Sequence, residues 1–409
     1  MNNQHQLRAC ILASYGATAR ETEELLAYNQ NIFDHSCLTL AAKFPLPPEP
    51  HVAAWEEYTA TAKEVGVFEV LSSRLVQLQF PILEGISQTE AYRSATRKGV
   101  PVDSMVEATG LILQQPEQLQ LMIYQSLAGA IPILLTKNRK DFVSLVQALT
   151  MRNEPLPVPA SMGACMVTGF NNWDRVRQYR QQWSAKNFGN CSESSWLEEF
   201  RRLIPQKQLY QDRLIILSDG FYSNVSASDI GLSESEWRRI SLNIRLEHEC
   251  THYFTQRLFG SMRNNLLDEL IADYRGIVTA IGHYRADWFL RFLGLESFPD
   301  YREGGRLQNY PGQPPLSEDA FKILQALVKS AAENLERFDV QYGQELRTLN
   351  SQPIMLIALT YLTLEELASS EAHSYIQKIL DQLRTSLKEV EGQGSKKAEG
   401  HPKSKPQLI

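Results

Sequence analysis

The sequence predicts an α+β protein, with a mixed α/β N-terminal region followed by a mainly helical region. Three observations lead there. Short apolar runs alternate with helical patterns over the first half of the chain, a capping box at Ser233 opens a long helical stretch, and beyond Leu316 the apolar residues recur at helical spacing. With 409 residues and 43% hydrophobic content the chain can bury a large core.

Taken in order, Phe68 to Phe80 reads as extended, and Ser87-Gln88-Thr89-Glu90 as a capping box opening a helix. Ile131 to Thr136 is an apolar run of strand length, followed by a helix from Asp141. Pro155, Pro157 and Pro159 mark a boundary that separates an α/β region, 1–152, from a second region, 160–390. Gly163 to Gly169 then reads as a strand, Asn172 to Trp183 as a helix and Arg213 to Ser218 as a further strand. Between them, Gly169-Phe170-Asn171-Asn172-Trp173-Asp174 is explained by a turn, a helix cap and a core Trp. Phe321 to Leu335, Pro353 to Leu367 and Ser374 to Val390 are amphipathic helical patterns. Residues 391–409, rich in Gly, Ser, Lys and Pro, read as a disordered tail.

The chemistry lies between these parts. Ser233 and Glu236 form a capping box, and Trp237, Ile240 and Ile244 supply an apolar stripe for a helix that Gly260 ends. Well inside it, His248-Glu249-Cys250-Thr251-His252 reads HExxH, which on a helix sets two imidazoles one turn apart on one face. Imidazole nitrogen suits zinc, and Glu249, about 100° around the helix from His248, can reach a metal-bound water as a base. Cys250 points away from both histidines and packs.

Asn264 to Ile281 is a second helical pattern carrying Asp268-Glu269-Leu270-Ile271-Ala272-Asp273. At 1.5 Å per residue, about 12 Å of helix follows His252 and about 7 Å precedes Glu269, distances that suit a helical hairpin. Glu269 can therefore be the third ligand, and Asp273, one turn on, can orient a ligand histidine. Asp268 or Asp273 can also ligate in Glu269's place. A second electrophile for the carbonyl oxygen is expected on general grounds, with Tyr274, Tyr284, Tyr301 and Tyr310 as unranked candidates. The Gly- and Pro-rich stretch from Tyr301 to Pro315 can border a cleft.

In these residues the chain resembles the gluzincin metallopeptidases, the thermolysin-like zincins with HExxH followed on a later helix by ExxxD. The resemblance implies a zincin-like second region with zinc held by His248, His252 and Glu269, Glu249 as general base and Asp273 behind a histidine. The function expected is that of a zinc-dependent hydrolase cleaving a peptide or amide bond, with a peptide or protein as substrate. The alternative is a binding or scaffold protein on a zincin-like fold with a structural or absent metal. An intact Glu249 speaks against it, because a structural site needs no base.

A net charge of −6 gives no electrostatic case for nucleic acid, and the longest apolar stretches, such as Leu127 to Leu135, are too short to span a bilayer. The start lacks the pattern of a secretory signal, and five widely spread cysteines do not read as a disulfide framework, so a cytoplasmic protein with free thiols is expected. No GxxxxGKS/T, GxGxxG or GxSxG motif competes with HExxH. Oligomeric state is not legible.

Overall fold

The apolar run Ile131 to Thr136 and the strand expected at Arg213 to Ser218 pair in parallel at the centre of a four-stranded sheet. The computed structural model describes residues 3–38, 43–187, 192–260, 265–348 and 351–399. Strands β1 (Gln120–Ser126), β2 (Gly129–Thr136), β3 (Ala164–Asn171) and β4 (Gln211–Ser218) lie in the order β1-β2-β4-β3. Ile133 sits opposite Ile215 in the parallel pair, while β1 and β3 flank it antiparallel. Every residue of β2 is buried, which is why its sequence runs apolar without alternating.

The chain divides into two compact units, Pro47–Glu249 on one hand and Met1–Leu46 with Cys250–Ile409 on the other. The boundary expected around Pro155 to Pro159 is thus corrected. That stretch connects the helix Arg139–Thr150 to β3, and β3 and β4 complete the sheet begun by β1 and β2. Prolines mark a break in regular structure, but only strand pairing decides which segments share a core.

In the unit Pro47–Glu249, Trp55, Phe142, Leu145, Leu214 and Ile216 belong to one buried cluster. A buried carboxylate organises its polar side. Asp212 accepts from Trp55 Nε1 and Asn172 Nδ2, each at 2.7 Å, and pairs with Arg175. Asn172 also caps the helix Trp173–Lys186, and Trp173 is buried, as read from the Gly169 to Asp174 stretch. Phe68 to Phe80, by contrast, is not extended. It forms the helix Val67–Arg74 and a 3-10 turn, Val76–Gln79. Leu71, Leu75 and Leu78 are all buried, and packing at this near-helical spacing outweighs the β-branched character of the local sequence. The helix Glu90–Lys98 starts two residues later than its box implied, because Thr89, not Ser87, accepts from the N–H of Tyr92.

In the other unit the helices Asn3–Ser14 and Ala19–Tyr28 pack with Glu318–Leu346 and Leu364–Ala368. Arg8 forms a buried ion pair at 3.1 Å with Glu365, and Asn29 Nδ2 donates to the same carboxylate. The stretch from Pro353 to Leu367 is divided into the helices Ser351–Thr360 and Leu364–Ala368, the second opened by the Thr363–Glu366 capping box. The last helix, Ala372–Glu399, runs past residue 391, so the expected tail is helical as far as Glu399. Gly392 and Gly394 cost about 1 kcal/mol each against alanine, too little to stop a helix otherwise made of good formers. Residues 400–409 lie outside the described ones. No helix among the described residues is long and apolar enough to cross a membrane.

Candidate metal centre

Both histidines stand on one uninterrupted helix, Glu234–Phe259. Its start follows the sequence. Glu236 N donates to Ser233 Oγ at 3.3 Å, and Ser233 N donates back to Glu236 Oε2 at 3.2 Å. Trp237 and Ile244 are fully buried, which fixes the rotation of the helix and with it the direction of residues 248 and 252. Gly260 follows at φ +65, in the left-handed conformation that ends helices.

The helix Leu266–Ile281 begins where Asn265 caps the N–H of Asp268 at 3.0 Å. Asn264, where it was expected to begin, lies outside the described residues. From Leu266 to Tyr274 every residue is buried. This helix brings Glu269 Oε1 within 3.5 Å of His252 Nε2. One ligand atom from each of His248, His252 and Glu269 lies within 4.8 Å of the others, and all three residues are buried. Glu249, between the histidines, is only half-buried.

The set fits zinc. Two donors at the usual zinc–nitrogen and zinc–oxygen distances about a tetrahedral ion stand about 3.4 Å apart, close to the separation of His252 Nε2 and Glu269 Oε1. Two imidazoles and a carboxylate are also the three-ligand set of zinc hydrolases, which keep a fourth position for water.

What surrounds the ligands differs from the expectation. The carboxylate behind His252 is that of Asp268, whose Oδ2 is 3.0 Å from His252 Nδ1. Asp273 is held instead by Arg306, whose guanidinium also comes within 3.6 Å of Glu269 Oε2. At His252 the neighbouring carboxylate is thus Asp268, which the sequence offered only as an alternative ligand, while Asp273 lies against Arg306. The reason is rotational, since the residue before Glu269 flanks the ligand face whereas the residue one turn later sits below it. Thr255, one turn beyond His252, directs its hydroxyl to His252 O at 3.1 Å and to Asp268 Oδ1 at 3.5 Å. Burial opposes a charge on His252, but Asp268 and Glu269 outweigh it and raise its pKa well above the usual histidine value.

At His248 the partner is Tyr222, whose hydroxyl is 2.9 Å from Nδ1. Tyr222 lies in the connection between β4 and the metal helix, beside Ser223 and Asn224 at φ +51 and +56, and its own N–H is held by Ser241 Oγ at 3.0 Å. Arg245, one turn before His248, places its guanidinium 5.7 Å from the Tyr222 ring and donates to Ser218 O at 2.7 Å and Phe221 O at 3.1 Å. Burial pushes the Arg245 pKa down to about 10, against the charges of Tyr222, Glu249 and Asp219.

The structure also ranks the tyrosines. Tyr310 interacts with Glu269, and burial together with that carboxylate pushes its phenol far up, so it stays a proton donor. Tyr274 donates to Asp339 at 3.0 Å, Tyr301 donates to Gly305 O at 2.8 Å, and burial together with the charge of Asp273 raises Tyr284. Arg306 and Tyr310 both come from the Gly- and Pro-rich stretch between Tyr301 and Pro315. Gly305 passes so close to Gly294 that a Cβ would sit 2.4 Å from Leu293 O, a contact only glycine allows. Sequence reasoning missed Arg306 and Tyr222. For Arg306 the glycines of its loop were the available signal, and for Tyr222 there was none.

The sequence model of a family of unknown function, DUF7005, matches residues 10–371, and the chain belongs to that family. No curated protein and no solved structure matches it.

Proposed function

We propose that this member of the DUF7005 family is a zinc-dependent hydrolase, a gluzincin-like metallopeptidase that cleaves a peptide or amide bond. The observation that carries the reading is the convergence of His248, His252 and Glu269 around one point, with Glu249 on the same helix and more exposed than the ligands. His248, His252 and Glu269 would hold the metal. Zinc, when bound, lowers the pKa of a water and polarises a carbonyl oxygen.

The remaining work falls to the chain itself. Glu249 accepts the proton of the attacking water and passes it to the leaving amine, the task of a carboxylate placed beside but not among the ligands. Asp268 and Tyr222 fix the imidazoles of His252 and His248 through their Nδ1 atoms, so that each presents Nε2 inward. Arg306 neutralises part of the negative charge of Glu269 and Asp273. Tyr310, kept protonated beside Glu269, is the best-placed of the four tyrosines to donate to an oxygen gaining charge.

The test is metal content and turnover together. The purified protein should hold about one zinc per chain, lost in the His248→Ala/His252→Ala double variant. Glu249→Gln should keep the metal while hydrolysis of a peptide library falls by a factor of about 10² to 10⁴. Failure to take up zinc even when it is supplied would leave the binding-protein alternative. An active Glu249→Gln variant would remove Glu249 as the base.

A further inference from the structure

The unit Pro47–Glu249 contains a cavity of about 580 Å³ that plays no part in the metal chemistry. It is lined in part by Gln77, Arg97, Arg152, Thr168, Asn171 and Gln211, and among the described residues lining it there is no Asp or Glu. Arg97 and Arg152 are exposed and, among the described residues, form no ion pair. Glu154 stands just outside the lining, where it accepts from Ser87 N at 2.9 Å, so two guanidiniums against one carboxylate leave the cavity with a net positive charge of about +1.

The lining is held in place. Arg152 and Asn153 follow one another at φ +54 and +59, a conformation uncommon for residues other than glycine. Buried Asn153 fastens that turn, donating to Gln77 O at 2.9 Å and Phe80 O at 3.0 Å while accepting from Tyr92 Oη at 3.1 Å. Opposite in sequence, Gly169 at φ +74 sits in the bulge between Thr168 and Phe170 on edge strand β3, and Gln211 Nε2 donates to Asn171 Oδ1 at 3.1 Å. Gln77 is only 6% exposed. Its Nε2 donates to Asn171 O at 3.3 Å, yet its Oε1 is buried with no hydrogen-bond partner. That oxygen is turned away from the open space, and the Gln77 amide serves to fix the floor of the cavity against Asn171.

We propose that this cavity binds a small polyanion. Arg97 and Arg152 hold its phosphate or carboxylate groups at the rim, and the polar side chains of the lining, Thr168 among them, meet its remaining oxygens. Guanidinium chemistry is shared by phosphates and carboxylates, so the probes separate the two sources. Pyrophosphate and citrate are titrated by calorimetry into the full chain. Binding by either at millimolar concentration or below is expected, with pyrophosphate preference assigning a phosphate ligand and citrate preference a carboxylate one. Arg97→Gln and Arg152→Gln should each weaken it by about tenfold and the double variant should abolish it, while the zinc content stays unchanged. Both arginines are on the surface, so these variants fold. No heat of binding for either probe, or a double variant that binds as the native chain does, overturns the proposal.

Discussion

Replacing Asp268 by Asn tests the centre where structure and sequence differ most. The side chain keeps its volume, its Oδ1 can still accept from His252 Nδ1, and its amide can turn to Thr255. Only the charge is lost, from a residue 1% exposed and 3.0 Å from the imidazole. A hydrogen bond to a charged acceptor contributes about 1.5 to 3 kcal/mol against about 1 kcal/mol for a neutral one. The difference, about 0.5 to 2 kcal/mol, predicts zinc affinity lowered by more than about twofold and up to about thirtyfold, at the low end of what is found for groups that orient metal ligands. Competition of the purified protein against a fluorescent zinc chelator measures it, with circular dichroism confirming the fold. An affinity unchanged within about twofold would refute the role given to Asp268. Loss on Asp273→Asn with none on Asp268→Asn would return that role to Asp273.

Other outcomes follow from packing. Arg8→Met leaves Glu365 buried without its charge partner and should destabilise the unit containing both by about 3 to 5 kcal/mol in urea unfolding. Gly163→Ala puts a Cβ 2.6 Å from Arg245 Nε, on a guanidinium already fixed by Ser218 O and Phe221 O. A loss of about 1 to 3 kcal/mol is expected, read as a lowered urea midpoint at constant slope. Burial, aided by Glu249, pushes the Cys165 thiol up to about 12, so at pH 8 Cys165 remains protonated. Iodoacetamide should therefore label exposed Cys10 and spare Cys165 and buried Cys250 in the folded protein, as peptide mass mapping will show.

Local signals carried far in this sequence. The Ser233 box, the Trp237 and Ile244 stripe and Gly260 located the metal helix nearly to the residue, because a helix closes its hydrogen bonds within a few positions. Strands β2, β3 and β4 were legible as apolar runs, but β1 was not. Its residues Gln120–Gln125 are exposed or half-buried with the alternation broken at Tyr124, and only pairing with β2 makes them a strand. The proximity of His248, His252 and Glu269 was readable because they sit on two adjacent helices. Tyr222, Arg306 and Tyr310 reach them from loops whose paths depend on close approaches such as Gly305 against Gly294, and no periodicity encodes those.

The order in which the chain is made has a consequence for when it can act. The segment Pro47–Glu249 is contiguous and can close its sheet as soon as it leaves the ribosome, whereas Met1–Leu46 shares a core with Cys250–Ile409. Arg8 waits 357 residues for Glu365, so the helices Asn3–Ser14 and Ala19–Tyr28 find their partners only after the whole intervening segment has been made. His252 and Glu269 belong to that late-forming unit. On the proposed reading, hydrolytic competence waits until the helices after Glu249 have been made and packed, and a chain cut before them carries the HExxH letters without the enzyme.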